Sequence, residues 1–175
     1  MTMPPRVRKF ALAAHITTSV GLLGAVAGFL ALAITGLASR DAMLARAAYL
    51  AMEVTAWWII VPLTFASLLI GIVESLGTTW GLFRHYWVLA KLLLIVLVTV
   101  VLLLQMGVIG DMAEAAATTT LSDVDLLEAR MALVAHAGGG LLVLLIPAAL
   151  SVYKPRGRTR YGRRKLEEQL PLLQP

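Results

Sequence analysis

The side chains of this chain most able to do chemistry are a few titratable groups that interrupt or border long apolar runs: His15, Glu53, His85, Lys91 and His136. Imidazole ligates metals and carries protons near neutral pH. Ammonium and carboxylate groups bind opposite charges or exchange protons with a ligand. Because a titratable group is costly inside hydrocarbon, each of these residues is a candidate for a binding or redox role. The apolar runs around them must provide the elements that position them.

Composition identifies those surroundings as a membrane. Hydrophobic residues are 59% of the 175 residues and charged residues only 14%, with a mean hydropathy of +0.85. These values are typical of a polytopic membrane protein. The sequence contains no cysteine, which excludes disulfides, thiolate metal sites and thiol catalysis. Any redox chemistry must therefore belong to a bound cofactor. The chain also contains no G-x-S-x-G, H-E-x-x-H, P-loop or dinucleotide-binding motif.

Four apolar runs are long enough to cross a bilayer as helices, at roughly 10–37, 43–73, 84–106 and 130–153. They predict an all-α fold, a bundle of four transmembrane helices. We expect a membrane domain over 1–153 and a basic tail over 154–175. The segment 107–121 is predicted to be a loop. Ser122 and Asp125 resemble a capping box that starts the last helix well before its apolar run.

The distribution of Lys and Arg predicts the orientation. The N-terminal arm, the loop between spans two and three and the tail hold nearly all of them, whereas the segment after span three is acidic. By the positive-inside rule both termini are expected in the cytoplasm, in a multi-pass protein of the bacterial inner membrane. The basic tail lacks the interleaved aromatic residues of a nucleic-acid module. We therefore expect it to contact anionic lipid headgroups of the bilayer and no nucleic acid.

Depth along the helices predicts two pairs of polar residues. His15 and Lys91 each lie about five residues inside the ends of spans one and three that face the cytoplasm, and they could meet. Glu53 and His136 enter from the opposite side to a comparable depth. His15 and His136 are too far apart along the membrane normal to ligate one haem together. Alternatively, Lys91 extends to the headgroups, and Glu53 and His136 only neutralise one another.

Helical spacing predicts which faces point into the bundle. Small, polar and aromatic residues recur on one face of span two and one face of span four. In span two they are Glu53, Trp57, Ile60, Thr64, Ser67 and Gly71, and in span four His136, Gly140, Val143, Pro147 and Ser151. Pro62 and Pro147 are expected to kink their helices and open cavities. Gly24 and Gly28 form a small-xxx-small pair that serves either packing within the bundle or a homodimer contact.

The methionines offer a different site. Met43, Met52, Met106, Met112 and Met131 are all predicted to lie toward the outer side. Thioethers with the imidazole of His136 would suit copper(I). Methionine is also an ordinary packing residue, and no tight M-x-M or M-x-x-M cluster is present.

Three segments carry a resemblance: 75–94 (SLGTTWGLFRHYWVLAKLLL), 151–157 (SVYKPRG) and 159–165 (TRYGRRK). They resemble a group of small bacterial integral membrane proteins of unknown function. More distantly, the G-T-x-W-G…K pattern ending at Lys91 is similar to copper-resistance D-type membrane proteins. A first-span His with a third-span Lys is similar to the membrane protoporphyrinogen oxidase family. That resemblance implies haem b with His15 as axial ligand and Lys91 as a functionally required residue.

The expected function is therefore a haem-b-binding membrane protein with a redox or electron-transfer role, and possible oxidoreductase activity. Lys91 would contact a propionate or the substrate, and His85 would be the second axial ligand if the iron is six-coordinate. Alternatively, His85 is an interfacial residue beside Tyr86 and Trp87. His136 is the next candidate ligand, and His15 and His136 are the candidate metal ligands. Copper handling or small-solute transport is the first alternative. A non-catalytic membrane partner protein is the second.

Overall fold

The computed structural model describes residues 3–78, 81–118, 124–155 and 157–169, and this part of the chain is helical apart from short connections. The helices are α1 Pro5–Ala38, α2 Ala42–Thr55, a π-helix Ala56–Ile60, α3 Val61–Gly77, α4 Tyr86–Thr118, α5 Val124–Tyr153 and α6 Arg160–Gln169. Four of the resulting stretches are long and apolar enough to cross a membrane: Pro5–Ala38, Ala42–Gly77, Tyr86–Thr118 and Leu126–Tyr153. The predicted all-helical fold with four candidate spans is confirmed.

The outward faces of these helices are apolar, which fits hydrocarbon surroundings. Phe10, Val20, Leu69 and Leu104 are each at least 60% exposed, and they come from three of the four candidate spans. In water such a surface would favour aggregation, whereas lipid chains cover it without penalty. The apolar residues therefore form both a packed interior and much of the exposed surface of the helices.

Packing order gives the bundle its shape. α1 lies against α2, α3 and α5, while α4 lies against α2, α3 and α5 from the other side. α1 and α4 are thus diagonal to each other, and the interior lies between them. Its core contains mostly medium-sized apolar side chains: Leu22, Val26, Phe29, Ala33, Tyr49, Met52, Ala56, Ile60, Met106, Ile109, Met112, Ala116, Leu133, Ala137 and Leu144.

The third span is longer than predicted. The predicted loop 107–121 is wrong over its first part, because α4 continues to Thr118. Ile109, Met112, Ala113 and Ala116 are buried at helical spacing, while Asp111 and Glu114 are exposed. The apolar stripe thus holds the helix against the bundle after the polar residues begin. The capping box at Ser122 lies outside the described residues.

A π-helix in the second span changes which side chains face inward. The N–H of Val61 bonds the carbonyl of Ala56, one residue further back than in an α-helix, just before Pro62. The wider turn buries Ala56 and Ile60 but turns Trp57 outward, where it is 51% exposed. The prediction that Trp57 faces into the bundle is therefore wrong. The extra residue in the turn shifts the phase of the helix at this point.

One end of the bundle is fastened by an arginine. Arg130 of α5 donates from Nε to the hydroxyl of Tyr49 at 2.8 Å and from Nη2 to the carbonyl of Gly36. Its guanidinium also lies over the Tyr49 ring, 5.7 Å from the ring centre. These contacts join α1, α2 and α5. We call this end, which includes the turn at Asp41 that caps α2, the far end.

Both described terminal segments lie at the other end, here called the near end. The N–H of Met3 donates to the carbonyl of Gly77 at 3.1 Å. The tail returns to the connection before α4, where Thr159 donates from its N–H to the carbonyl of Arg84 at 3.0 Å and from Oγ1 to that of Phe83 at 2.5 Å. A short β-bridge joins His85 to Arg158. The tail is therefore attached to the helical bundle by hydrogen bonds as well as by the chain.

Candidate functional site

A cavity of about 220 Å³ lies inside the near half of the bundle. Four spans each contribute a polar side chain to its wall: His15 from α1, Glu74 from α3, Lys91 from α4 and Ser151 from α5. Much of the remaining wall is apolar, with leucine and isoleucine side chains and the indole of Trp87. We call it the near cavity. It brings His15 and Lys91 to one space, as their matched depth predicted.

His15 is positioned by a glycine on the neighbouring helix. A Cβ built on Gly71 of α3 would lie 3.0 Å from Cε1 of the His15 ring, so the ring packs directly on the α3 backbone. Nearby, the hydroxyls of Ser19 and Ser67 share a hydrogen bond of 3.0 Å between α1 and α3. Nδ1 of His15 is buried and has no hydrogen-bond partner among the described residues. A buried polar atom without a partner is destabilising, so a ligand that bonds it would recover that energy.

Lys91 is held at the opposite wall. Its Nζ donates to Oγ of Ser151 at 2.8 Å, and Ser151 in turn donates to the carbonyl of Pro147 at 2.7 Å. The carbonyl of Pro147 thus accepts from a side chain near the end of α5. The ammonium also lies 5.7 Å from the centre of the Trp87 ring, close enough for a cation–π interaction. These contacts fix a cationic donor beside the cavity.

Glu74 is the acidic member of the site, and the sequence reasoning missed it. It lines the near cavity and lies within electrostatic range of both His15 and Lys91. The predicted second span stopped at Val73, just before Glu74, whereas α3 continues to Gly77. Glu74 nevertheless continues the inward face of that span, since it follows Ser67 by seven residues and Gly71 by three. That spacing was the signal that could have found it.

The other predicted site residues lie elsewhere. His85 precedes α4, with its ring centre 6.5 Å from that of Trp87 and its backbone paired with Arg158. His136 is exposed, with Nδ1 2.7 Å from the carbonyl oxygen of Ala132. Glu53 faces α4, where Oε1 lies 4.0 Å from the position of a Cβ on Gly110. The predicted pairing of Glu53 with His136 stays a prediction, as does a ligand role for His85.

A second cavity, of about 270 Å³, lies in the far half between α1, the π-helix, α3, α4 and α5. We call it the far cavity. His136, Gly140 and Val143 of α5 line it, together with Thr64 and Gln105, and His136 is at the same time exposed. The amide oxygen of Gln105 is buried without a hydrogen-bond partner among the described residues. Apolar side chains form nearly all of the remaining wall.

The methionines do not form a common site. Met52, Met106 and Met112 are buried within the core, whereas Met43 and Met131 are 78% and 49% exposed. Across 3–78, 81–118, 124–155 and 157–169, no group of three or more His, Cys, Asp or Glu side chains is arranged to hold a metal ion. Copper handling stays a prediction that these positions do not strengthen.

Haem b fits the near cavity in part. Nδ1 of His15, which has no hydrogen-bond partner among the described residues, is a suitable axial donor, and Lys91 is suited to a propionate. His15 is the one histidine on the cavity wall among the described residues, and the volume lies below the roughly 300–1,000 Å³ of pockets for drug-sized ligands. The residue types therefore suit haem better than the available space does.

Gly24 and Gly28 lie on an exposed face of α1, and a Cβ added at either would meet no atom within 4 Å. The predicted homodimer contact through this face stays a prediction. Comparison of the chain with protein-family models, curated proteins and solved structures found no match in any of the three.

Proposed function

We propose that this protein binds a small, uncharged ring bearing oxygen substituents, of the quinone or quinol type, in the near cavity. The observation that carries the proposal is the meeting of His15, Glu74 and Lys91 at one mostly apolar cavity within the bundle. Such a ligand keeps the redox role expected from the sequence, because quinones carry electrons and protons within membranes. The apolar walls would bind the ring, and the polar groups would orient it.

The charges of the site favour an uncharged ligand. The formal charges of Lys91 and Glu74 offset each other. An anionic ligand would therefore be repelled by Glu74, and a cationic ligand by Lys91. A charged ligand would also lose its hydration on entering the bundle, which is costly unless it is fully paired. An oxygen-bearing ring avoids that loss. One oxygen would accept from the Lys91 ammonium, and a hydroxyl would donate to the Glu74 carboxylate or to His15.

The same three residues suit a ligand that exchanges protons. Reduction of a quinone to a quinol adds two protons along with two electrons. An ammonium group can donate a proton to the quinone, and a carboxylate or an imidazole can accept one from the quinol. The proposal concerns binding and proton exchange.

Titration of purified protein in mild detergent with tetramethyl-1,4-benzoquinone tests the proposal. A background with Trp57, Trp58 and Trp80 changed to Phe leaves Trp87, on the cavity wall, as the fluorescent reporter. Because the sequence contains no cysteine, the quinone cannot form a thiol adduct with the protein. We expect saturable quenching of Trp87.

Lys91→Met should weaken binding about 10- to 100-fold, since a hydrogen bond to a charged group contributes roughly 1.5–3 kcal/mol. Lys9→Met is the matched control, because Lys9 is exposed on the same side of the bundle as the near cavity but does not line it. Absence of saturable quenching, or equal affinity in both variants, would refute the proposal.

Haem b bound through His15 is the second candidate, supported by the unpartnered Nδ1 of that ring. Bound haem would supply one-electron chemistry, while Lys91 would pair with a propionate. Protein expressed with ample haem should then show a Soret band that His15→Ala removes or shifts while the protein stays folded. A colourless protein that binds the quinone would refute haem binding and support quinone binding.

A further inference from the structure

The near and far cavities meet at two leucines. Leu22 of α1 and Leu144 of α5 line both cavities, and they are 2% and 8% exposed. The polar groups of the site lie on the near side of this boundary. On the far side the wall is nearly all apolar. The two cavities are therefore adjacent, one with polar groups in its wall and the other nearly all apolar, and these two leucine side chains lie between them.

We infer that the two cavities together bind a single long-chain amphiphile, with its ring in the near cavity and its hydrocarbon chain in the far cavity. This inference rests on the proposed function and names the substrate class: a quinone with an alkyl or isoprenoid chain. Each cavity alone, at about 220 and 270 Å³, is smaller than the roughly 300–1,000 Å³ of typical ligand pockets. The two together fall within that range.

The two cavities lie one above the other along α5, over a length that fits such a molecule. His136 in the far cavity and Ser151 in the near cavity are both on α5, fifteen residues apart, or about 22 Å along the helix. A ring alone would leave most of this length unfilled. A chain passing Leu22 and Leu144 would fill it with contacts to apolar side chains, which is what the far wall offers.

Glycines of α5 leave room for the chain. Gly139 and Gly140 line the far cavity, and a Cβ built on either would meet no atom within 4 Å. A large side chain placed at Gly140 would occupy the far cavity while leaving the residues of the near cavity in place. This makes it possible to block the chain without touching the ring site.

The test compares tetramethyl-1,4-benzoquinone, which has no chain, with a benzoquinone carrying a decyl chain, on wild type and on Gly140→Phe. We expect Gly140→Phe to weaken the decyl quinone about tenfold, equivalent to roughly two methylene groups no longer buried. Affinity for the chainless quinone should not change. Gly24→Phe is the control, because it adds the same side chain at an open position of α1 outside both cavities.

Ala135→Phe, at another residue of the far cavity, serves as a second variant in case Gly140→Phe fails to fold. If both quinones bind wild type and neither far-cavity variant discriminates between them, the chain lies elsewhere and the inference is wrong while the proposed function stands. Equal weakening of both quinones would also overturn it. Failure of both quinones to bind wild type would refute the proposed function itself.

Discussion

The contact between Gly36 and Tyr49 offers the sharpest test of how the far end is built. A Cβ added at Gly36 would lie 2.6 Å from Cζ of Tyr49, against about 3.5–4.0 Å for a favourable carbon–carbon contact. The Tyr49 ring is 1% exposed, and its hydroxyl is held by Arg130 at 2.8 Å. The ring cannot move away freely, so Gly36→Ala must separate α1 from α2 by about 1 Å.

Overpacking of this kind is destabilising by about 1–3 kcal/mol. The same displacement disturbs the hydrogen bond from Arg130 to the carbonyl of Gly36, worth roughly another 0.6 kcal/mol by the average for membrane helices. For a chain of this length, each kcal/mol lowers Tm by about 2–4 °C. We therefore expect Gly36→Ala to lower the Tm of purified protein by roughly 3–14 °C, measured by circular dichroism in detergent.

Gly24→Ala is the control, since its Cβ meets no atom within 4 Å. It should leave Tm unchanged or raise it slightly, because alanine favours the helix over glycine. Tyr49→Leu removes the atoms of the clash, so Gly36→Ala should cost much less in that background. If Gly36→Ala melts at the same temperature as Gly24→Ala, the close packing of α1 on Tyr49 is wrong.

Three further predictions concern the site, the tail and the orientation. Gly71→Ala should push the His15 ring off its preferred position, since its Cβ would lie 3.0 Å from Cε1. An off-rotamer side chain costs roughly 0.5–1.5 kcal/mol. Quinone affinity should therefore fall by up to about tenfold relative to Gly24→Ala. An unchanged affinity would show that His15 does not take part in binding the quinone. Gly162→Ala should release the tail, because its Cβ would overlap the backbone oxygen of Arg84. The control is Gly157→Ala, whose Cβ would make ordinary contact with Tyr86 at 3.6 Å. Trypsin should cleave the tail faster in Gly162→Ala than in the control, and equal rates would contradict the prediction. A C-terminal reporter active only outside the cytoplasm should stay inactive, given the basic segments at the near end, and clear activity would reverse the orientation.

The sequence was sufficient for the four spans and for the meeting of His15 with Lys91. Apolar length and helical depth are properties of each segment alone, and they do not depend on how the helices pack. The end of the third span was not accessible in this way. Its last turns are helical because Met112 and Ala116 are buried by neighbouring helices, although the segment itself is polar enough to read as a loop.

The orientation of Trp57 could not be predicted for a related reason. A π-turn is formed by a local change of hydrogen bonding before Pro62, and it rotates the residues around it by about one position. Helical spacing assumes a regular turn and placed Trp57 inside. Glu74 was missed for a simpler reason. The predicted second span was ended at the first charged residue after the apolar run, and that residue is Glu74, which lines the near cavity.

The attachment of the tail to the connection before α4 has a consequence for assembly of the bundle. Phe83 and Thr159, joined by a hydrogen bond, are 76 positions apart, and both spans α4 and α5 are synthesised between them. Chains emerge from the ribosome at about 5–20 residues per second. The connection before α4 is therefore complete several seconds before the tail segment that binds it has been synthesised. During that interval the mouth of the near cavity, where Leu82 and Trp87 contribute to the wall, lacks its final support. Docking of segment 157–162 is then a late step that requires the helices before it to be in place.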